Sequence, residues 1–362
     1  MDRIPENVTP KSAIPASSSV VPKRGLVGVM SDTIIMLLPW SIIAALLWAA
    51  FFIKPQPVGE TVRPPVLERR DQYYGIASHG DKGLWLAGSG GKIVALSPSG
   101  ETRQLDTGTR KSLQDIAAWD AGRGIAIGND GVIITTADGG ETWVQITDAP
   151  RSEVANKLVR VRVAADGVAW AVGEMGALLQ STDYGQKWER RRPEQDTAWN
   201  DLALLGDGQI WVVGEFGQML HSTDNGQTWT EHQADVESSL MAIAFRDPLN
   251  GLAVGLEGVV LSTQDGGQTW QTIDSGVAVH LFDVVWDAAR GHWIVAGDQG
   301  LWLNADASVT DIRHGQLDSR DMSWHTRALP TAEGTWFAGA NVGLWTGEQW
   351  RPVSNPTTPP AE

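Results

Sequence analysis

The chain has 362 residues, with 40 glycines, 18 tryptophans, no cysteine and a formal net charge of −15. Lack of cysteine excludes disulfides, thiolate metal sites and cysteine nucleophiles. Residues 1–53 hold four of the 28 bases and three of the 43 acids, so the remainder carries −16. A surface of that sign disfavours nucleic-acid binding, which needs clustered Lys and Arg to neutralise phosphates.

A polar leader, residues 1–32, precedes an uncharged run at 33–53, TIIMLLPWSIIAALLWAAFFI. As a helix this run would rise about 31 Å, the thickness of a bilayer core. Ser31 and Asp32 stand where an N-cap belongs, and Pro39 falls in the first two turns, where a missing N–H costs least. Trp40 and Trp48 suit the membrane interface. The leader is too long for the n-region of a signal peptide and no A-x-A site precedes Lys54, so an uncleaved transmembrane anchor is expected. Lys23 and Arg24 before the span are nearly balanced by Lys54 after it, and the positive-inside rule barely decides orientation. Residues 54–70, KPQPVGETVRPPVLERR, are expected to be a proline-rich, semi-stiff linker, and 354–362 a disordered tail.

From residue 71 to 353 one unit repeats seven times: an apolar strand ending in Gly, a two-residue turn, another Gly and a second apolar strand. It is clearest as LWLAGSGGKIVAL (84–96), AWAVGEMGALLQ (169–180) and IWVVGEFGQMLH (210–221). The first glycines are Gly88, Gly128, Gly173, Gly214, Gly255, Gly297 and Gly339, at intervals of 40 to 45 residues. That period fits a four-stranded propeller blade, and no segment past 71 keeps a 3.6-residue periodicity. The expected fold is all-β, a seven-bladed β-propeller preceded by one N-terminal transmembrane helix.

Four blades carry a second marker, TADGGETW (136–143), STDYGQKW (181–188), STDNGQTW (222–229) and TQDGGQTW (263–270). In each, the Asp side chain is suited to accept backbone N–H bonds across a tight hairpin, the Gly supplies turn geometry, and the Trp opens the outer strand and wedges against the blade. Asp138, Trp143, Asp183, Trp188, Asp224, Trp229, Asp265 and Trp270 are therefore read as structural. Blades 1, 6 and 7 keep only remnants (SPSGETR, NADASVT, TGEQW).

The pairing of W-x-V-G-E-x-G with S-T-D-x-G-x-T-W, best seen at 211–229, resembles the Asp-box (BNR-repeat) propellers and, within them, the photosystem II assembly/stability factor-like family. The resemblance spans about residues 72–353. It implies a propeller that serves as a protein-binding accessory or assembly factor and not as an enzyme. Bacterial members without a photosystem are typically secreted or membrane-anchored and often associated with transporters of the resistance-nodulation-division type. What the resemblance implies here is a single-pass bacterial inner-membrane protein with its propeller in the periplasm, a membrane protein complex as partner, and no cofactor.

Asp-boxes also occur in sialidases, so a carbohydrate-active or carbohydrate-binding propeller is the alternative. A sialidase-like site needs three arginines and a Tyr nucleophile, yet Tyr184 lies inside an Asp-box turn and Tyr73 and Tyr74 in the first inner strand. Counting 13 residues back from each first glycine (14 in blades 6 and 7) gives a column in the innermost strands: Gly75, Asp115, Arg160, Asp201, Ala242, Asp283, His325. Asp115, Asp201 and Asp283 come from alternate blades. They either converge as a cation or sugar site at the channel or satisfy backbone where the strands begin; the second reading is favoured. The histidines show no metal-type spacing, and no metal site is expected.

Connectors between blades and the GxxG turns share one propeller face, opposite the Asp-boxes. The connectors of the first half are basic: Arg110, Lys111, Arg151, Lys157, Arg190, Arg191 and Arg192, with Arg160 opening the next inner strand. In an acidic domain such clustering marks a candidate partner-binding face.

Overall fold

A computed structural model describes residues 26–52, 66–68, 70–320 and 322–353. Most of the leader and linker, and the whole tail, lie outside these residues. Among the described residues one α-helix, Leu26–Phe52, is followed by 28 strands.

The helix starts earlier than the sequence reading placed it. Ser31 and Asp32 lie within it rather than at its cap, and Pro39 sits at its centre rather than in its first turns. The physical reason is that Leu26–Met30 contains no residue that halts a helix beyond the mildly unfavourable Gly28. A central proline removes one N–H from the ladder, which a long helix tolerates with a kink. Ser41 Oγ donates to Leu38 O at 2.8 Å beside this point. The window Ile35–Phe52 has a mean hydropathy of 2.2 and is long and apolar enough to cross a membrane.

The strands form seven antiparallel four-stranded sheets, each made from consecutive strands. The blades are residues 73–105, 113–145, 158–190, 199–233, 240–273, 281–316 and 325–352. Neighbouring inner strands contact one another around the ring, and the inner strand of blade 7 returns to that of blade 1. Second strands are buried on both faces because each lies between two blades. Leu84–Gly88, Gly124–Gly128 and Ala169–Gly173 are buried throughout, whereas the outer strands are largely exposed. Hence the near-continuous apolar runs seen in sequence.

The marker glycine ending each second strand has an extended backbone, not a left-handed one. Its role is close approach. A Cβ at Gly88, Gly128 or Gly173 would fall 1.9, 2.1 or 2.1 Å from the carbonyl oxygen of Gln72, Ser112 or Lys157 in the incoming connector. The next residue's N–H bonds that same carbonyl in all seven blades, for example Ser89 N to Gln72 O at 2.9 Å and Glu174 N to Lys157 O at 2.9 Å. Connector and hairpin turn are thereby tied together on one face.

Candidate functional site

The first candidate region is the propeller axis. Asp115, Arg160, Asp201 and Asp283 pair with the residue just before the marker glycine, and so does Arg327, which pairs with Ala338. The seventh member of the column is therefore Arg327, and the assignment of His325 is corrected. His325 pairs with Gly339 itself, is buried, and packs its ring against Phe337 and Trp350 inside blade 7. The bulge between His325 and Arg327 is common to all seven blades; it is the tight hairpin at Thr331–Gly334, against Asp287–His292 in blade 6, that shortens the count by two.

The three acids and three arginines neutralise one another about the axis, all of them largely buried except the partly exposed Arg162. Arg160, 1% exposed, lies 2.9 Å from both Asp201 and Asp283 (Nε–Oδ1 and Nη2–Oδ1). Arg162 Nη2 reaches Asp201 Oδ2 at 3.0 Å, and Arg327 Nε reaches Asp115 Oδ1 at 3.1 Å. The Oδ2 atom of each carboxylate also bridges blades. Val161 N donates to Asp115, Ile243 N to Asp201 and Ala328 N to Asp283, at 2.9, 3.1 and 2.9 Å. Each acid thus holds the inner strand of the following blade. Arg327 Nη2 also donates to Val159 O at 3.1 Å, joining the last blade to the third.

Burial alone would raise the Asp201 carboxyl, but the Arg160 and Arg162 guanidiniums and the Ile243 N–H hold it below the usual carboxylate range. Burial likewise opposes the charge of Arg160, which its surrounding carboxylates restore in full. Arg162 and Arg327 were missed by the sequence reading, and Arg160, read as a partner-binding residue, belongs to this axis. No group of three or more His, Cys, Asp or Glu side chains suited to a metal occurs among the described residues.

The second region is the Asp-box rim. In blade 2, Thr136 Oγ1 donates to Asp138 at 2.8 Å while Thr142 N and Oγ1 donate to it at 2.9 and 2.6 Å. Asp224 repeats the pattern with Ser222 and Thr228, and Asp265 with Thr263 and Thr269. Asp183 does so with Ser181 and the backbone of Gln186 and Lys187. The box also does something its local pattern does not reveal: its Trp packs edge-on against a second-strand Trp of the preceding blade. These pairs are Trp143 on Trp85, Trp229 on Trp170 and Trp270 on Trp211, with ring centroids 5.5–5.9 Å apart. Trp188 joins a core cluster with Ile125, which occupies the equivalent position in blade 2.

The Asp138 and Asp224 carboxyls are held at about 2, chiefly by the hydroxyl and N–H of Thr142 and Thr228. A folded-state value depressed from the ordinary 3.8 gives stability that is present above pH 4 and lost as pH falls toward 2. Asp138→Ala should therefore flatten the pH dependence of the thermal midpoint between pH 4 and 2. An unchanged slope in a calorimetric pH series would contradict this.

The third region is the connector face, where the predicted basic cluster divides. Arg190 Nη1 donates to the carbonyls of Met175 and Gly176, Arg191 pairs with Glu189 and Arg192 with Glu231. Lys111 pairs with Asp130 at 3.1 Å, both side chains being substantially exposed. Arg110, Arg151 and Lys157 make no ion pair among the described residues; the first two are exposed and Lys157 is half-buried. Arg151 lies over the blade 2 turn, its Nε 3.7 Å from where a Cβ on Gly131 would sit. Two acids of the V-G-E-x-G pattern face inward. Glu174 accepts from Lys157 N at 3.1 Å and Glu215 from Ala198 N at 2.8 Å.

Residues 94–196 match the family described as photosynthesis system II assembly factor YCF48, and residues 220–231 match the BNR/Asp-box repeat. A curated relative, the photosystem II assembly lipoprotein Ycf48 of Synechococcus sp. (strain CC9902), is 28% identical over 108 residues. That match covers 30% of this chain and 32% of the relative, so the chain spans about a third of its length. Among solved structures, YCF48 bound to D1 peptide superposes with a TM-score of 0.62 at 17% identity, covering 76% of this chain and 91% of that one. YCF48 from Cyanidioschyzon merolae gives 0.61 at 15% identity, over 78% and 95%. PorZ, a surface component of the type-IX secretion system of Porphyromonas gingivalis, gives 0.60 at 12% identity, over 81% and 39%. At these identities the structural likenesses establish the fold.

Proposed function

We propose that this chain, a seven-bladed Asp-box propeller resembling the YCF48-type photosystem II assembly factors, is a non-enzymatic, protein-binding accessory factor for a membrane complex. The helix Leu26–Phe52 would tether it to a bacterial inner membrane with the propeller in the periplasm. A transporter of the resistance-nodulation-division type is the first partner to test. One observation carries the reading: in a region of net charge −16, Arg110, Arg151 and Lys157, on the connectors of blades 1 to 3, have no ion-pair partner among the described residues. Unpaired cations of one sign on one face favour encounter with an acidic partner. That a solved YCF48 carries a D1 peptide supports a polypeptide as the ligand class. The axial carboxylates, which a glycosidase would need free, are all engaged by arginines and backbone N–H groups.

The test is the full-length chain carrying Arg110→Glu, Arg151→Glu and Lys157→Glu, recovered from membranes in mild detergent. Membrane levels should be near normal, since Arg110 and Arg151 are exposed and Lys157, though half-buried, pairs with no acid among the described residues; exposed charges rarely move stability by more than about 0.5 kcal/mol. Recovery of the partner complex should fall and become more salt-sensitive, whereas Glu141→Lys on the opposite rim should change nothing comparable. Full retention of the co-purifying proteins by the triple variant at physiological salt would refute the reading.

A further inference from the structure

One position of each outer strand covers the second strand of the blade before it. Trp143, Trp188, Trp229 and Trp270 do so from the Asp-boxes. Strand register gives the same position to Ile312 in blade 6 and Trp350 in blade 7, where they join the core clusters of Leu252 and Ile294. In blade 1 the position falls to Thr102, which pairs with Leu96 as Trp350 pairs with Trp345. The remnant SPSGETR thus brings no ring and no large apolar group to its seam. The residue left beneath it is Trp336 of blade 7, three before Gly339 as Trp85, Trp170 and Trp211 stand three before their own marker glycines. Those three are at most 1% exposed, whereas Trp336 is only partly buried.

The seam between the last and first blades therefore keeps an open slot. A cavity of about 290 Å³ lies there, with Trp336, Leu84, Leu96 and Pro98 among its walls. Turn glycines show the same contrast. A Cβ on Gly226 or Gly267 would lie 2.2 or 2.3 Å from the tryptophan beneath it, yet one on Gly100, which lines this cavity, would meet nothing within 4 Å. Apolar cavities of this order take up aromatic rings, and aromatic pairs favour the edge-on contact seen at the other seams. We infer that the slot receives a tryptophan side chain of a partner protein, completing the seam interface as the Asp-box tryptophans complete theirs. This chain has no such ring to send. Residues 1–32, 53–72 and 354–362 contain no tryptophan or phenylalanine, and beyond the helix no tryptophan among the described residues is exposed, so a second propeller cannot supply one either. Glu333, which lines the cavity, is exposed and pairs with no base among the described residues, so a basic neighbour of that tryptophan is matched in charge. The inference goes beyond the accessory-factor reading, which places the partner on the opposite face.

The test uses the full chain in mild detergent and two fluorescein-labelled peptides, read by fluorescence anisotropy. One is STDYGQKW, the segment 181–188 of this chain, in which a lysine precedes the tryptophan; the other has serine in place of that tryptophan. The wild type should prefer the tryptophan peptide by about tenfold. Thr102→Trp, which fills the slot from the chain's own hairpin, should abolish the preference and raise the melting temperature. Glu333→Lys should weaken the tryptophan peptide several-fold; indifference to it strikes the basic neighbour from the proposal. Arg110→Glu with Arg151→Glu and Lys157→Glu should leave the preference intact, so that the slot and the basic face fail separately. Equal affinity for the two peptides, no binding of either, or a preference that survives Thr102→Trp overturns the slot. A preference lost on reversal of the connector cations overturns it too, since the peptide would then sit on the other face. Displacement of the peptide by free indole at equal concentration would overturn a polypeptide as the occupant and assign the slot to a small aromatic molecule.

Discussion

Replacing Trp170 with alanine should lower the unfolding free energy by about 3–5 kcal/mol, the range for truncating a fully buried large aromatic. Trp170 is 1% exposed and lies in the second strand of blade 3, where its ring meets Trp229 of the blade 4 Asp-box edge-on at 5.9 Å. The turn glycine of that box closes over it: a Cβ on Gly226 would lie 2.2 Å from Trp170 Cη2. Removing the indole would thus empty a site bounded by two blades, and the hairpin above it is pinned by its own hydrogen bonds and resists collapse. Trp229→Ala should cost less, about 2 kcal/mol, because that ring is only half-buried. Gly226→Ala should be destabilising in the opposite sense, by overpacking at a backbone φ of +76°. Denaturant titrations followed by circular dichroism measure all three. Equal midpoints for Trp170→Ala and the wild type would mean that the blade interface repacks freely, and the Asp-box would then be a turn motif only.

The blades were legible in sequence because turn chemistry leaves marks at fixed spacing. Gly128 is needed where Ser112 O approaches, and Asp224 and Trp229 recur in step with it. These are local constraints, and each needs one residue type. The axial network left no comparable mark. Arg160 and Asp283 are 123 residues apart in sequence, Arg327 and Asp115 are 212 apart, and only ring closure brings them together. Aligning a column by counting from glycines works while hairpin lengths are equal. It named Asp115, Asp201 and Asp283 correctly as equivalents, then took His325 for Arg327 where blade 7 carries a shorter hairpin. Charge clustering misled for a different reason. Arg190, Arg191 and Arg192 are adjacent in sequence, yet one reaches turn carbonyls and the others pair with acids on their own and the next blade.

Arg160→Leu should cost about 3–5 kcal/mol at neutral pH, as expected when one member of a buried ion network is removed and its partners are stranded. The two carboxylates left behind differ in rescue. Asp201 would keep Arg162, which is partly solvated, whereas Asp283 would keep only the Ala328 N–H. Arg160→Leu combined with Asp283→Asn should therefore recover part of the loss, because the amide oxygen can still accept from Ala328 without carrying a charge. The pH dependence separates charge from packing. In the wild type Asp201 is held below its ordinary range, so its contribution is present above about pH 4 and is lost on acidification. In the Leu variant a buried carboxylate without its partner should be raised above that range. Its penalty is then largest near neutrality and is relieved as pH falls toward 4 and the group protonates. Above pH 4 the wild-type contribution is constant and only the relief of the variant's penalty acts, so the stability gap between wild type and variant should narrow between pH 7 and pH 4. A constant gap across that interval would show that Arg160 supports the axis through the packing of its stem rather than through its charge.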